Sequence, residues 1–407
     1  MRYLITRPQQ SVHGRIHLPA SKSISNRVLI ISKLSYNPYP IENLSDSDDT
    51  QVLLKALQSN DLLFDTGAAG TAMRFLTAYL STIYGEWRLT GSNRMKQRPI
   101  KILVDALNKL GGKIEYLEKE GFPPLKIYGS TLSGGEITLD GGVSSQYISA
   151  LLMIAPVMEN GLTLHLTGTV ISRPYIKLTL RILEEFGILS EWNENTIRIR
   201  PQEYVPQRYQ IEADWSAASY WYQIMSLSDN AEIELLHLFP QSFQGDAAVI
   251  HIFKKLGVKT ILLHNGIRLQ PAKVECEKFE YDFSDQPDLA QTLTVTCALK
   301  GIPFQIGGLQ SLRIKETDRI AALKSELKKL GYMLEQPQDN VLAWNGIRCE
   351  PEKNPVIDTY EDHRMAMSFA PVALKCGSII IEHPEVVSKS YPAFWNDLSE
   401  AGFNIDS

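Results

Sequence analysis

Lysine and arginine side chains gather beside the polar starts of predicted helices. The starts are Ser21-Lys-Ser23 with Arg27 one turn on, Gly70-Thr-Ala-Met-Arg74, Ser172-Arg-Pro-Tyr175, Lys315-Glu-Thr-Asp-Arg319 and Asp362-His-Arg364. Arg94, Lys96, Arg98, Arg313 and Lys389 stand in the loops beside them. A helix dipole disfavours cations at its N-terminus, where backbone N–H groups also point outward unpaired. Cations, hydroxyls and bare N–H groups in one place complement an anion, either a phosphate or a carboxylate. Any one of these ends can be read as a solvated helix start with incidental charges. Their repetition favours a protein that holds more than one strongly anionic group. Carboxylates stand inside the same clusters. Glu316 lies between Lys315 and Arg319, and Asp288 opens a helix at Gln-Pro-Asp-Leu. Each acid can simply offset a dipole or pair with a neighbour. Flanked by cations, it also stays ionised, ready to take a proton from a hydroxyl. That arrangement suits a hydroxyl nucleophile attacking a phosphorylated partner.

Other chemistries find little support. No Gly-Lys-Ser/Thr occurs, Gly67-Ala-Ala-Gly70 lacks the lysine of a phosphate loop, and no G-x-G-x-x-G follows a strand, so nucleotide binding is disfavoured. No H-E-x-x-H occurs, and His13 and His17 fall in a strand-like segment, so no metal site is expected. The net charge of -5 and pI near 6.0 give no global attraction to nucleic acid or an acidic membrane. Cys276, Cys297, Cys349 and Cys376 are scattered, with no Cys-x-x-Cys pair, which fits a reducing compartment. The start Met-Arg-Tyr-Leu-Ile-Thr-Arg-Pro has no apolar signal core, and the apolar run Ile148–Met158 is too short to span a bilayer. A cytoplasmic protein is expected. At 407 residues, 44% apolar and 21% charged, it is long enough for two domains with substantial cores.

The elements that must position these residues recur along the chain. A helix ending in glycine and followed by a strand-like run returns at Ile100–Gly111, Ile176–Gly187, Ala247–Gly257, Ile320–Gly331 and Phe394–Gly402, with a degenerate copy at Thr50–Leu57. Successive glycines lie 70–76 residues apart, and each fits a helix C-cap. Helices with distinctive starts are interleaved with these, at the positions named above and at Ser144-Ser-Gln146, Asp214-Trp-Ser216 and Asp285-Gln-Pro-Asp288. In the first, Ser21 or Ser23 caps a helix whose buried face carries Ile24, Val28 and Ile31. Gly161–Thr167, Ile197–Arg200, Ile261–Leu269 and Ile379–Glu382 read as strands. Six α/β units imply two lobes of three, with a boundary near Gln202–Glu212.

Seven of these stretches also match a known pattern in order from Leu18 to about Phe394. Ser21-Lys-Ser-Ile-Ser-Asn-Arg27, Gly70-Thr-Ala-Met-Arg74, Arg94-Met-Lys-Gln-Arg-Pro99, Ser144-Ser-Gln146, Ser172-Arg-Pro-Tyr175, Lys315-Glu-Thr-Asp-Arg319 and Asp362-His-Arg-Met-Ala-Met367 resemble the 5-enolpyruvylshikimate-3-phosphate synthases of the enolpyruvyl transferase family. The resemblance implies an α/β fold of two similar lobes, each of three βαβαββ units (an inside-out α/β barrel), with a cleft between them. It puts residues 21–212 in the first lobe and 1–20 plus 213–407 in the second. The implied activity is transfer of the enolpyruvyl group of phosphoenolpyruvate to the 5-hydroxyl of shikimate 3-phosphate, through a tetrahedral intermediate that loses phosphate. This is a step of the shikimate pathway to aromatic amino acids.

By motif, the resemblance puts Ser23, Arg27, Ser144, Ser145, Gln146, Ser172, Tyr175, Asp288, Ser311 and Lys315 on shikimate 3-phosphate. It puts Lys22, Gly70, Arg98, Gln146, Arg319, Arg364 and Lys389 on phosphoenolpyruvate. Asp288, Glu316, Lys22 and Lys389 take the proton-transfer roles. It implies no metal and no organic cofactor, and the two small molecules as the partners; no nucleic acid or membrane partner is expected, and a monomer is expected. Two positions depart from the pattern: Ala68 and Ser311 stand where the family usually has Asn. The alternatives are the sister enzyme acting on UDP-N-acetylglucosamine and a catalytically silent anion-binding homologue. The first typically uses a cysteine in its first lobe, and no cysteine precedes Cys276 here.

Overall fold

Glycine at the helix ends fixes much of the architecture. Gly111, Gly187, Gly257, Gly331 and Gly402 all adopt positive φ, between 82° and 107°, a region that other residues enter only at a cost. Each closes a helix, so the chain turns sharply into the strand that follows. A computed structural model describes all residues except Asp229 and Pro240. The chain divides into two compact units, one formed by Ser21–Ile211 and the other by Met1–Ala20 with Glu212–Ser407.

The unit Ser21–Ile211 contains helices α1 (Lys22–Leu34), α2 (Asp48–Gln58), α3 (Gly70–Ser81), α4 (Lys101–Lys109), α5 (Ser145–Ile154) and α6 (Arg173–Glu185). One sheet runs Leu63–Asp65, Gly85–Thr90, Leu125–Gly129, Lys113–Tyr116. The other runs Gly135–Asp140, Leu162–Thr167, Thr196–Ile199, Ser190–Asn193. In both, the first two strands are parallel and the rest antiparallel. That order is what strand–helix–strand–helix–hairpin produces, since a helix crossover joins parallel strands and a tight turn joins antiparallel ones.

The second unit contains α7 (Trp215–Leu227), α8 (Val249–Lys255), α9 (Ala290–Lys300), α10 (Arg319–Lys329), α11 (His363–Phe369), α12 (Ala373–Cys376) and α13 (Phe394–Glu400). It repeats the same sheet order three times. Phe279–Asp282, Phe304–Gly307, Val341–Trp344 and Glu335–Gln338 come from one continuous stretch. The other two sheets each borrow a strand from the first residues of the chain. Val12–Ile16 lies parallel to Ala231–Leu236, and Arg2–Thr6 lies antiparallel between Ser378–Glu382 and Asn404–Asp406.

The six-fold α/β repeat is therefore present, with one unit reduced. The unit holding α1 and α2 keeps only a two-stranded parallel pair, Ile41–Glu42 with Tyr209–Gln210. It is the unit whose second helix lacks the terminal glycine. One strand expectation is corrected. Ile261–Leu269 is not a single strand but the middle of a hairpin, Val258–Leu263 and Gly266–Pro271. The turn falls at His264-Asn265-Gly266, where Gly266 takes φ 141°, and Asn-Gly is a strong hairpin signal.

Candidate active site

In the unit Ser21–Ile211, the N-terminal ends of α1, α3, α5 and α6 carry the residues the motifs single out. Ser21 caps α1 by accepting from the N–H of Ile24. Lys22 follows, with Nζ 3.3 Å from Oδ2 of the buried Asp49 on α2. One turn on, Arg27 is almost wholly buried. Its Nε donates to Thr179 Oγ1 at 2.7 Å, its Nη1 to the Ser23 carbonyl at 2.9 Å, and its Nη2 to Ser149 Oγ at 3.0 Å and the Tyr175 carbonyl at 3.4 Å. These oxygens are neutral, so burial dominates and lowers the guanidinium pKa to about 10. A buried cation solvated only by dipoles ties α1 to α5 and α6 and leaves positive potential beside Ser23 and Tyr175.

The second cluster of this unit centres on Gly70. The Arg98 guanidinium lies so close over it that a Cβ on Gly70 would sit 2.7 Å from Arg98 Nη1. Arg98 Nε is buried without a hydrogen-bond partner, which is costly unless an acceptor arrives. Arg74 braces the cluster from below, donating to the Gly70 carbonyl, Met95 Sδ and the Pro99 carbonyl. Ser144 caps α5 by accepting from the N–H of Gln146. Gln146 Nε2 then reaches Thr71 Oγ1 at 2.9 Å, and Tyr147 Oη donates to the Pro99 carbonyl. Gln146, Gly70 and Arg98 are thereby drawn together, and Ser145 is the first residue of α5. Ser172, ahead of α6, takes φ 54°, a strained conformation of the kind found at ligand sites.

The other unit holds a denser ionic network at the starts of α10 and α11 and the turn before α9. Arg319 is its hub and is 1% exposed. Its Nε donates to Asp362 Oδ2 at 2.7 Å, its Nη1 to Asp288 Oδ1 at 3.1 Å, and its Nη2 to Glu316 Oε2 at 3.0 Å. Arg364 Nη2 donates to Asp288 Oδ2 at 2.8 Å, and Lys315 Nζ lies 3.8 Å from Asp288 Oδ1. Lys389, ending the turn Pro384–Lys389, has Nζ 3.4 Å from Glu316 Oε1.

Burial alone raises the pKa of the Asp288 carboxyl, but Arg364, Lys315 and Arg319 together outweigh it and hold the group well below the usual carboxylate range. Lys315 moves down, chiefly through burial. Arg319 suffers the same burial penalty, yet Asp362, Glu316 and Asp288 hold it above its usual value. Behind Asp288 lies Asp246, buried and accepting from Ser216 Oγ. Burial, and next the charge of Asp288, push its pKa up to about 7, against a pull from Arg364 and the Ser216 hydroxyl.

Not every predicted cation joins these clusters. Lys96 pairs with Glu118 at 2.7 Å and Arg313 with Asp339 at 3.2 Å, both on the surface. Arg173 stacks on the Trp192 ring at 5.1 Å. Ser311 is half-buried in the short turn Gln310–Ile314, and Ala68 is exposed in the turn before α3. Sequence reasoning missed Asp49, Asp246, Asp362 and Tyr220, the last of which accepts from Arg364 Nη1 at 3.3 Å. Asp362 could have been found, because it caps α11 within a motif already singled out. Asp246 carried no such signal. Among the described residues, no three His, Cys, Asp or Glu side chains gather to hold a metal ion, and no helix is long and apolar enough to cross a membrane.

Comparison with known proteins places this geometry. The model of the EPSP synthase family (3-phosphoshikimate 1-carboxyvinyltransferase) matches residues 6–62 and 57–398. A 3-phosphoshikimate 1-carboxyvinyltransferase of Bacteroides fragilis is 57% identical over 406 residues, covering 100% of this chain and 99% of the relative. Relatives of the same name from Vibrio cholerae and a Sulfurovum species are 34% and 36% identical, each covering 98% of this chain and 99% of the relative. The solved EPSP synthase of Acinetobacter baumannii superposes with TM-score 0.78 over 100% of both chains at 20% identity, a likeness of fold. Near-complete coverage by a family model and by relatives well above 30% identity leaves one assignment: the chain belongs to the EPSP synthase (3-phosphoshikimate 1-carboxyvinyltransferase) family.

Proposed function

We propose that this chain transfers the enolpyruvyl group of phosphoenolpyruvate to the 5-hydroxyl of shikimate 3-phosphate, releasing phosphate, with the residues of these clusters divided between the two substrates. Shikimate 3-phosphate is taken by Ser23, Arg27, Ser144, Ser145, Gln146, Ser172 and Tyr175, with Asp288, Ser311 and Lys315 contributing. Phosphoenolpyruvate is taken by Lys22, Gly70, Arg98, Gln146, Arg319, Arg364 and Lys389. The 5-hydroxyl adds to the enol carbon while the methylene carbon gains a proton. The resulting tetrahedral intermediate then loses phosphate and a methyl proton to restore the double bond. Asp288, Glu316, Lys22 and Lys389 are the groups placed to move those protons.

The observation that carries this reading is that Arg319 is shared by Asp288 and Glu316, while Arg364 also holds Asp288. Held by three cations, Asp288 is a weakened base. An arriving phosphate or carboxylate competes for the same guanidinium groups and relaxes that hold. The carboxylate pKa then rises toward the range useful for proton transfer, so the base becomes effective only when its substrate is bound. The rest of the catalysis is positioning and charge stabilisation.

The test is phosphate release. The purified protein should liberate phosphate only when shikimate 3-phosphate and phosphoenolpyruvate are both present, and UDP-N-acetylglucosamine should not replace the former. In the same assay Asp288→Asn should lower kcat by roughly 10²-fold or more while affecting shikimate 3-phosphate binding far less. No release from the cognate pair would overturn the reading.

A further inference from the structure

Two consecutive residues that are not glycine, Tyr360 at φ 52° and Glu361 at φ 56°, lie in the left-handed region immediately before Asp362. Such strain persists only where the surroundings over-determine it, and it clusters at functional sites. Here the surroundings centre on one buried carboxylate. Glu326 lies on α10, two turns beyond Arg319, and is 0% exposed. Its Oε1 accepts from Tyr360 Oη at 2.6 Å, and its Oε2 accepts from the Asp358 N–H at 3.2 Å and from Lys329 Nζ at 2.7 Å. Lys329 Nζ also donates to the Val356 carbonyl at 2.8 Å. Within the loop, Tyr360 N–H donates to Asp358 Oδ1 and Asp362 N–H to the Thr359 carbonyl, both at 2.8 Å.

The loop thus meets α10 at two points. One is Arg319 with Asp362, the other Glu326 with Asp358 and Tyr360. Asp362 in turn caps α11 by accepting from the Arg364 N–H at 2.9 Å, so its placement sets both Arg319 and the start of the helix that carries Arg364. We infer that Glu326 is a positioning residue: by clamping Tyr360 and Asp358 it holds the left-handed pair that aims Asp362, and through Asp362 it fixes the two guanidinium groups that receive the anionic substrate. A network that merely strengthened the fold would lower stability when cut, without singling out one substrate. Burial and the bond to Glu326 raise the Tyr360 pKa to about 12, so this donor keeps its proton through the ordinary pH range.

The inference rests on the functional reading above, in which Arg319 and Arg364 take phosphoenolpyruvate. Tyr360→Phe removes one hydroxyl from a half-buried ring, and Glu326→Gln keeps the volume while turning a donor toward Lys329 and the Asp358 N–H. Steady-state kinetics of the full chain should show KM for phosphoenolpyruvate raised roughly tenfold in both variants, with KM for shikimate 3-phosphate held within about twofold. Hydrogen exchange of the substrate-free protein should be faster across residues 358–366 in Tyr360→Phe and unchanged in α1 and α5. Tyr360→Phe with wild-type kinetic constants, or with equal losses for both substrates, would overturn the positioning role, even if exchange is faster. If the wild type turns over neither substrate, the functional reading fails instead. The exchange experiment, which needs no substrate, then still decides whether Glu326 clamps the loop.

Discussion

Asp246 is a buried acid whose charge the fold opposes. An unfolded aspartate has its pKa near 4, whereas burial and the neighbouring Asp288 raise that of Asp246 to about 7. Between those values the folded chain keeps a proton that the unfolded chain gives up. The contribution of Asp246 to stability is therefore full below pH ~4, declines as pH rises, and levels off above about 7, with no more than roughly 4 kcal/mol at stake. Asp288 runs the other way. Its depressed pKa contributes stability that is present above the unfolded value and lost as pH falls toward the folded one. In Asp246→Asn, urea midpoints at pH 5 and pH 7.5 should differ less than in the wild type. Equal differences in the two proteins would show that Asp246 does not titrate in this window. The cations themselves were legible in the sequence, because they sit against helix dipoles that ought to repel them. Their partners were not. Asp362 lies 43 positions from Arg319 and Asp288 lies 76 from Arg364, and no local pattern reports a pairing across that separation.

At the scale of elements, the helix ends were written plainly and the hairpins were not. Glycine at Gly111, Gly187, Gly257, Gly331 and Gly402 announced five turns because the backbone there needs positive φ. Asn265-Gly266 announced a sixth in a different way, as the reversal of a hairpin inside a run that reads as one strand. Reading hydrophobicity alone merged its two strands. Gly70 is a separate case. Its φ is not positive, and what its hydrogen spares is the Arg98 guanidinium, 2.7 Å from where a Cβ would stand. A flexible side-chain end yields easily, so Gly70→Ala should fold with a wild-type melting temperature. Displacing Arg98 should raise KM for phosphoenolpyruvate by roughly tenfold, the scale expected when a binding group moves by about an ångström. An unaltered KM would separate Arg98 from the binding of that substrate.

Over the whole molecule, apolar burial divides as the chain does. The large core that includes Trp215, Trp221, Phe279, Phe304 and Phe394 draws only on residues before 21 and after 212. Ile24, Leu76, Leu107, Leu151 and Ile182 are buried within the unit Ser21–Ile211. A unit of that size with its own buried residues should fold without the rest. Residues 21–211, produced alone, should give a single cooperative thermal transition and resist proteolysis within the helices. A broad, non-cooperative melt would show that this core is incomplete. The repeat was legible because each unit is punctuated in the same way. What could not be read from pattern alone was where the first twenty residues belong, since a strand carries no mark of the sheet it will join.

That placement has a consequence in time. The strand Arg2–Thr6 pairs with Ser378–Glu382 and Asn404–Asp406, so its partners are made long after it. At about 5–20 residues per second, the strand waits unpaired for tens of seconds while the unit Ser21–Ile211 is already made. It stays short, and its sequence Arg-Tyr-Leu-Ile-Thr opens on a charge, which limits its appeal to a passing edge. The sheet is completed only when Ser378–Glu382 and Asn404–Asp406 close around a segment that left the ribosome long before them.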